Sequence, residues 1–146
     1  MDIQVRTEVE DDEISEIRDL YGTYSSWADH SEEDVRRAVN NSDEVVGLYD
    51  KDEERFVASA RILTDYTYYA VVYDVVVHCT YRRQGLGKRL MEAVTNYSPL
   101  EPVAQVTLVS RDGLTEFYEE CGFEVHPMEL EIDGRTEDFF RMRLVA

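Results

Sequence analysis

Residues 68–91, YYAVVYDVVVHCTYRRQGLGKRLM, constrain the fold of this chain more than any other segment. The first half is rich in β-branched residues and has one acidic residue, Asp74, which is typical of a strand in the interior of a sheet. Two glycines on either side of a leucine follow, and apolar residues then recur at helical spacing. The segment therefore predicts a central strand that passes through a glycine-containing loop into a helix.

The loop RRQGLGK has the chemistry of an anion site. Glycine adopts positive φ and lets a ligand approach the backbone, while the free N–H groups and the dipole at a helix start favour negative charge. Residues 61–91 have a net charge of +3 in a chain whose net charge is −17. An ordinary strand-to-helix turn is the alternative, but the basic cluster favours a phosphate-bearing ligand.

The whole chain predicts the element order β-α-α-β-β-β-α-β-α-β-β, a mixed α/β fold with helices on both faces of a sheet. The first helix is indicated by apolar residues at helical spacing, namely Ile14, Ile17, Leu20, Tyr21 and Tyr24. Ser31 and Asp34 predict a capped start of the second helix. Gly122 is expected to end the last helix, and the DG pair at 133–134 to form a hairpin turn. Without repeats or a linker, residues 1–146 read as a single domain.

The net negative charge of the chain argues against nucleic acid and anionic lipid as partners. The chain has 32 acidic residues against 15 basic ones, and only Lys51 and Lys88 are lysines. Such a surface repels nucleic acid and anionic lipid and is one way in which halophilic proteins stay in solution. No apolar run reaches the length of a membrane span, and no export signal is visible, so a cytoplasmic location is expected. Cys79 and Cys121 lack metal-ligand spacing and indicate free thiols, so no metal site is expected.

Two well-known phosphate loops do not fit the glycines. A GxGxxG loop requires glycine where Leu90 stands, and a P-loop requires Ser or Thr where Arg89 stands. The pattern [Q/R]-x-x-G-x-[G/A] does match, from Arg82 to Gly87. It resembles the acetyl-CoA loop of the GNAT acetyltransferase superfamily, and FYEECGFEV, residues 117–125, is similar to that family's last helix and following strand. ARILTD and the upstream YSSWADHSEEDVRRAV resemble a bacterial and archaeal subgroup. Cys79 departs from the pattern, because proline is usual there.

The resemblance implies an acyl-CoA N-acyltransferase fold, a mostly antiparallel, twisted sheet of about seven strands with about four helices. It implies transfer of the acetyl group of acetyl-CoA to an amine of an unidentified small molecule or peptide. The alternative is a non-catalytic module that binds or senses acyl-CoA. Homodimers are common in the family, and the sequence leaves the oligomeric state open.

The resemblance also implies which residues contact acetyl-CoA. The pyrophosphate is expected on the loop amides and the pantetheine along the central strand, whose Val75 N–H would polarise the acetyl carbonyl. The implied contact residues are Val75, Val76, Val77, Arg82, Arg83, Gln84, Gly85, Leu86, Gly87, Lys88, Asp112 and Tyr118.

Tyr118 matches the family's general acid. A phenol, with a pKa of about 10, stays protonated at neutral pH and so carries a proton that the departing thiolate can take up. The alternative is an aromatic residue on the apolar face of a helix. Asp74 is the candidate base, acting directly or through water, and it could equally be the partner of Arg61 on the neighbouring strand. His78 lies next to the loop and is expected to pack there.

The acceptor pocket is expected from aromatic residues of the first helices and the third strand. The candidate walls are Tyr24, Trp27, Tyr66 and Tyr68, and Asp65 is a candidate anchor for an ammonium group. For each aromatic residue the alternative is ordinary packing in the core or on the sheet.

Overall fold

The computed structural model describes residues 1–24, 29–111, 113–126, 129–138, 140 and 142–145. The strands are β1 (Ile3–Arg6), β2 (Glu44–Asp50), β3 (Arg55–Thr64), β4 (Tyr69–Val77), β5 (Gln105–Leu108), β6 (Glu129–Ile132) and β7 (Arg135–Asp138). The helices are α1 (Ile14–Gly22), α2 (Glu32–Asn40), α3 (Leu86–Thr95) and α4 (Thr115–Glu120). This order confirms the one predicted from the sequence.

The chain divides into two compact units, Met1–Val109 and Ser110–Ala146. The first unit has a five-stranded sheet in the order β1-β2-β3-β4-β5. The pairs from β1 to β4 are antiparallel, and β4 and β5 are parallel. The sheet is therefore mixed and mostly antiparallel, as predicted.

Helices α1 and α2 share one hydrophobic core with the sheet. Four apolar residues of α1 and two of α2 are buried against Val45, Phe56 and Val76. Helix α2 begins where predicted, because the Ser31 hydroxyl accepts a hydrogen bond from the Asp34 N–H at 3.1 Å. Helix α3 packs against β2, β3 and β4 and buries Leu86, Leu90, Met91 and Val94. None of the helices in the described ranges has the length and apolar character that a membrane span requires.

The second unit holds α4 and a β6–β7 hairpin. Helix α4 ends at Gly122 as predicted: this glycine has φ +97°, its N–H bonds to Glu119, and the Phe123 N–H bonds to the Tyr118 carbonyl. Among the described residues, strands β6 and β7 pair with each other around Asp133 and Gly134. The seven strands expected in one sheet are thus divided into five and two, because the four-residue strands of the hairpin form a ladder of their own.

Candidate active site

The loop between β4 and α3 has the backbone of an anion site. Gly85 directly precedes α3 with φ +78°, and Arg83 also lies in the left-handed region, with φ +65°. Glycine enters this region without the steric cost that other residues bear. The first N–H groups of α3, from Leu86 to Lys88, have no acceptor inside the helix. Because α3 is ten residues long, its dipole adds partial positive charge at this end.

The start of the loop is anchored by a buried hydrogen bond that sequence reasoning missed. The Tyr81 hydroxyl donates to Asp50 Oδ2 at 2.7 Å, which lowers the pKa of Asp50. Asp50 ends β2, and its other oxygen accepts the Asp52 N–H at 3.0 Å. The two residues are 31 positions apart, so no local pattern could have indicated the contact.

His78 packs at the loop entry, as expected. Its Nδ1 accepts the Thr80 N–H at 3.2 Å and caps the short turn Cys79–Tyr81. Burial, followed by the positive charges of Arg55 and Arg82, lowers its pKa. These contacts give His78 a role in the shape of the loop.

The basic side chains of the loop differ in what they contact. The Arg82 guanidinium donates to the Val77 carbonyl and to Thr23 Oγ1, both at 3.1 Å, and stacks on the Tyr24 ring at 4.2 Å. Arg89 donates to the Ile3 carbonyl at 3.0 Å. Arg83 and Lys88 are exposed. Arg82 therefore joins the loop to the end of α1.

On the side of β5, no strand among the described residues pairs with the second half of β4, and we call this stretch the open edge. The parallel pairing runs from Tyr69 with Gln105 to Val72 with Leu108 and stops there, five residues before β4 ends. On the β3 side, the His78 N–H bonds to the Val57 carbonyl at 2.8 Å. Because N–H groups alternate along a strand, those of Val77 and Val75 face the open edge.

Tyr24 covers the end of this edge. Its hydroxyl accepts the Val77 N–H at 3.1 Å and donates to the Val77 carbonyl at 3.3 Å. Tyr24 was predicted as a wall of the acceptor pocket, and the structure places it against the residue expected to bind pantetheine. An extended ligand that pairs with Val77 has to displace this hydroxyl.

Asp74 lies in the second half of β4, beyond the last residue that pairs with β5. Its Oδ2 accepts a hydrogen bond from Arg61 Nε at 2.7 Å, and the two side chains are 24% and 18% exposed. This is the ion pair anticipated as the alternative to a role as base. Asp74 also has φ +53°, which is uncommon for a residue other than glycine.

The other acceptor candidates lie in the turn from β3 to β4. Asp65 Oδ1 accepts the N–H groups of Thr67, Tyr68 and Tyr69 at 2.8 to 2.9 Å, and these bonds lower its pKa. The Tyr66 hydroxyl donates to the Asp43 carbonyl at 3.3 Å. At about 3.3 Å per residue, Tyr69 is roughly 20 Å from Val75 along β4, so this turn is at the opposite end of the strand from the loop. Trp27 lies outside the described residues.

In the second unit, Tyr118 is a buried residue of α4. It is 9% exposed, and its ring makes edge contacts with Phe117 at 5.0 Å and Phe123 at 6.2 Å. These contacts agree with an aromatic position on the apolar face of the helix and leave its role as an acid a prediction. Asp112, which the resemblance implies as an acetyl-CoA contact, lies outside the described residues.

A family model for the acetyltransferase (GNAT) domain matches residues 9–146. The chain is 30% identical over 103 residues to the uncharacterized N-acetyltransferase ycf52 of Gracilaria tenuistipitata var. liui, covering 69% of this chain and 57% of that protein. It is 36% identical over 115 residues to serotonin N-acetyltransferase 2, chloroplastic, of Oryza sativa subsp. japonica, covering 77% and 55%. The chain thus spans little more than half the length of these two relatives.

A solved structure of a Trypanosoma brucei acetyltransferase has a similar fold. Its TM-score is 0.69 at 25% sequence identity, and the alignment covers 98% of this chain and all of the other.

Proposed function

Because this chain belongs to the GNAT acetyltransferase family, we propose that it transfers the acetyl group of acetyl-CoA to an amine of a small molecule or peptide. One observation carries the proposal: the open edge of β4 is followed, after the loop of residues 78–84, by the left-handed Gly85 and the first N–H groups of α3. A strand edge that offers N–H groups suits an amide-containing chain, and the helix start suits a pyrophosphate. Coenzyme A has both parts in that order.

Acetyl-CoA supplies an acetyl group activated as a thioester, and its transfer forms a C–N bond, breaks a C–S bond and releases the thiol of CoA. In the proposal, the amides from Arg82 to Lys88 hold the pyrophosphate, with Arg83 and Lys88 adding positive charge. The backbone from Val75 to Val77 pairs with the pantetheine. The Val75 N–H stabilises the negative charge that develops on the acetyl oxygen.

Two further residues have proposed roles in proton transfer. Tyr118 protonates the departing thiolate. Asp112, which precedes α4 in the sequence, is instead proposed to contribute to acetyl-CoA binding. Asp74 has two candidate roles, as the base that accepts the proton of the attacking amine and as the ion-pair partner of Arg61.

The acceptor class in the proposal is an amine, with Tyr24 and Trp27 lining the part of the site near α1. Asp65 and Tyr66 contribute only if the acceptor extends roughly 20 Å along β4, as a peptide of about six residues would. Relatives bear the names of a serotonin N-acetyltransferase and a histone acetyltransferase, so a small aromatic amine and a peptide amine are the two acceptors to test first. A cytoplasmic location and a homodimer remain predictions.

The experiment is a thiol-release assay with acetyl-CoA and a panel of amines, amino acids and peptides in buffers of low and high KCl. The proposal predicts release of CoA thiol that depends on at least one amine, together with the acetylated amine as product by mass spectrometry. Calorimetry of CoA binding runs in parallel. CoA binding without turnover on any amine would favour the acyl-CoA-binding module instead, and absence of both would reject the proposed function.

A further inference from the structure

The ladder between β3 and β4 contains an irregularity at Asp74. Ser59 pairs with Val76, but Arg61 pairs with Tyr73, so Asp74 and Val75 lie together opposite Ala60. This is a β-bulge, in which one strand has an extra residue. Asp74 reaches it through φ +53°, a conformation that is sterically unfavourable for an L-residue.

The bulge decides which backbone groups face the open edge. On the loop side of it, the Val77 N–H contacts Tyr24 and the His78 N–H contacts β3, so the Val75 N–H faces the edge. A shift of the bulge by one residue would turn the Val75 N–H toward β3. The position of the extra residue therefore controls where the donor points.

A series of hydrogen bonds connects the end of α2 to the bulge in β4. The Ser42 hydroxyl, just after α2, donates to the Ala38 carbonyl at 2.7 Å and accepts from Arg61 Nη1 at 3.1 Å. Arg61 Nε in turn donates to Asp74 Oδ2 at 2.7 Å. A guanidinium with two fixed acceptors has little freedom, so the Asp74 carboxylate is held in one place.

This ion pair is partly buried, with the Arg61 side chain 18% and the Asp74 side chain 24% exposed. Tyr21, which is 4% exposed, lies against it, and burial followed by the charge of Asp74 raises the pKa of Tyr21. A partly buried carboxylate that loses its cationic partner is costly to the fold. The Asp74 side chain therefore stays with Arg61, and the backbone of Asp74 is held with it.

We propose that Arg61 is a positioning residue: its ion pair keeps Asp74 in the left-handed bulge and so directs the Val75 N–H to the open edge of β4. The inference rests on the proposed function, which assigns the Val75 N–H to the acetyl oxygen. It also gives Asp74 a structural role in the site in place of general base.

Three variants test the proposal: Arg61→Gln, Asp74→Gly and the double variant. Arg61→Gln should lower kcat by about 10- to 100-fold, since a misdirected oxyanion donor forfeits much of its effect. The KM for acetyl-CoA should stay within about threefold, because the loop is untouched. Adding Asp74→Gly to Arg61→Gln should recover about fivefold or more of kcat, because glycine takes positive φ freely and the unpaired carboxylate is gone.

Arg36→Gln is the matched control, since Arg36 Nε binds Asp11 at 2.8 Å in an ion pair outside β4, and it should not affect kcat. If Arg61→Gln does not fold, Arg61→Lys takes its place. Because this variant keeps the positive charge, we expect a smaller loss of kcat. An unchanged kcat in folded Arg61→Gln overturns the proposal. The proposal is also overturned if the kcat of the double variant is no higher than that of Arg61→Gln and the kcat of Asp74→Gly is lower than that of the parent by 100-fold or more. That result would favour Asp74 as the base.

The Val75 amide gives a readout that does not require turnover. In ¹⁵N NMR spectra, Arg61→Gln should change the chemical shift and speed the hydrogen exchange of this amide, and the double variant should reverse both changes. A parent protein with no acyltransferase activity would reject the proposed function, while these spectra would still decide whether Arg61 holds the bulge. Unaltered Val75 signals in Arg61→Gln would overturn the positioning role.

Discussion

Gly85 offers a direct test of the pyrophosphate loop, by comparing Gly85→Asp with Gly85→Asn. The two side chains are nearly equal in size, and both tolerate the left-handed backbone better than other non-glycine residues. A Cβ at Gly85 meets no atom within 4 Å, so neither variant crowds its neighbours. Asp and Asn are also favourable residues before a helix. The pair thus isolates one negative charge.

The magnitude follows from the geometry of the loop. A carboxylate about 5 Å from one phosphate charge, at an effective dielectric constant of about 20, is repelled by about 3 kcal/mol. That repulsion corresponds to a loss in CoA affinity of about 100-fold. Gly85→Asn bears only the backbone cost of about 1 kcal/mol, part of which the cap offsets, and should bind CoA within about tenfold of the parent.

The assay is calorimetric titration of CoA into each folded variant, repeated at low and high KCl. The difference between Asp and Asn should shrink as salt screens the added charge. Gly134→Asp is the control for strain, because Gly134 has φ +77° and open space around its Cβ, in the β6–β7 turn. Equal CoA affinity of Gly85→Asp and Gly85→Asn at low salt would refute the assignment of pyrophosphate to this loop.

Three further predictions address the acid, the charge and the pH dependence. Tyr118→Phe should leave the free energy of unfolding within about 1 kcal/mol of the parent and lower kcat about 100-fold or more; a drop of less than threefold, with chemistry rate-limiting, would return Tyr118 to a packing role. With a net charge of −17, the Tm should rise from dilute buffer to molar KCl, and a flat or falling Tm would contradict the halophilic interpretation. The Arg6 hydrogen bond at 2.6 Å lowers the pKa of Glu13, so its contribution to stability is present above the ordinary glutamate pKa of about 4.3 and is lost as the pH falls below it. Glu13→Gln should therefore reduce the slope of the unfolding free energy against pH on the acid side. An unaltered slope would show that the Arg6–Glu13 pair does not cause the loss of stability at low pH.

The order of elements and the loop were accessible from the sequence because local interactions determine them. Helical spacing of apolar residues, the Ser31 cap and the position of Gly122 each depend on residues that are close together in the sequence. The same holds for the left-handed Gly85 at the start of α3, where glycine and its neighbours indicate the backbone directly. The match to the acetyl-CoA loop was also local.

Contacts between distant residues were decided by the tertiary structure. Tyr24 and Val77 are 53 positions apart, and Tyr81 and Asp50 are 31 apart, so only the folded chain brings them together. For Asp74 the sequence left a base and an ion-pair partner equally open, and strand register brought Arg61 to 2.7 Å from it. Register is set by the whole sheet, and one extra residue in β4 changes which N–H groups face the open edge. The sequence by itself thus determined that a glycine-containing loop would lead into a helix start, whereas the direction of the Val75 N–H depended on how β3 and β4 pair.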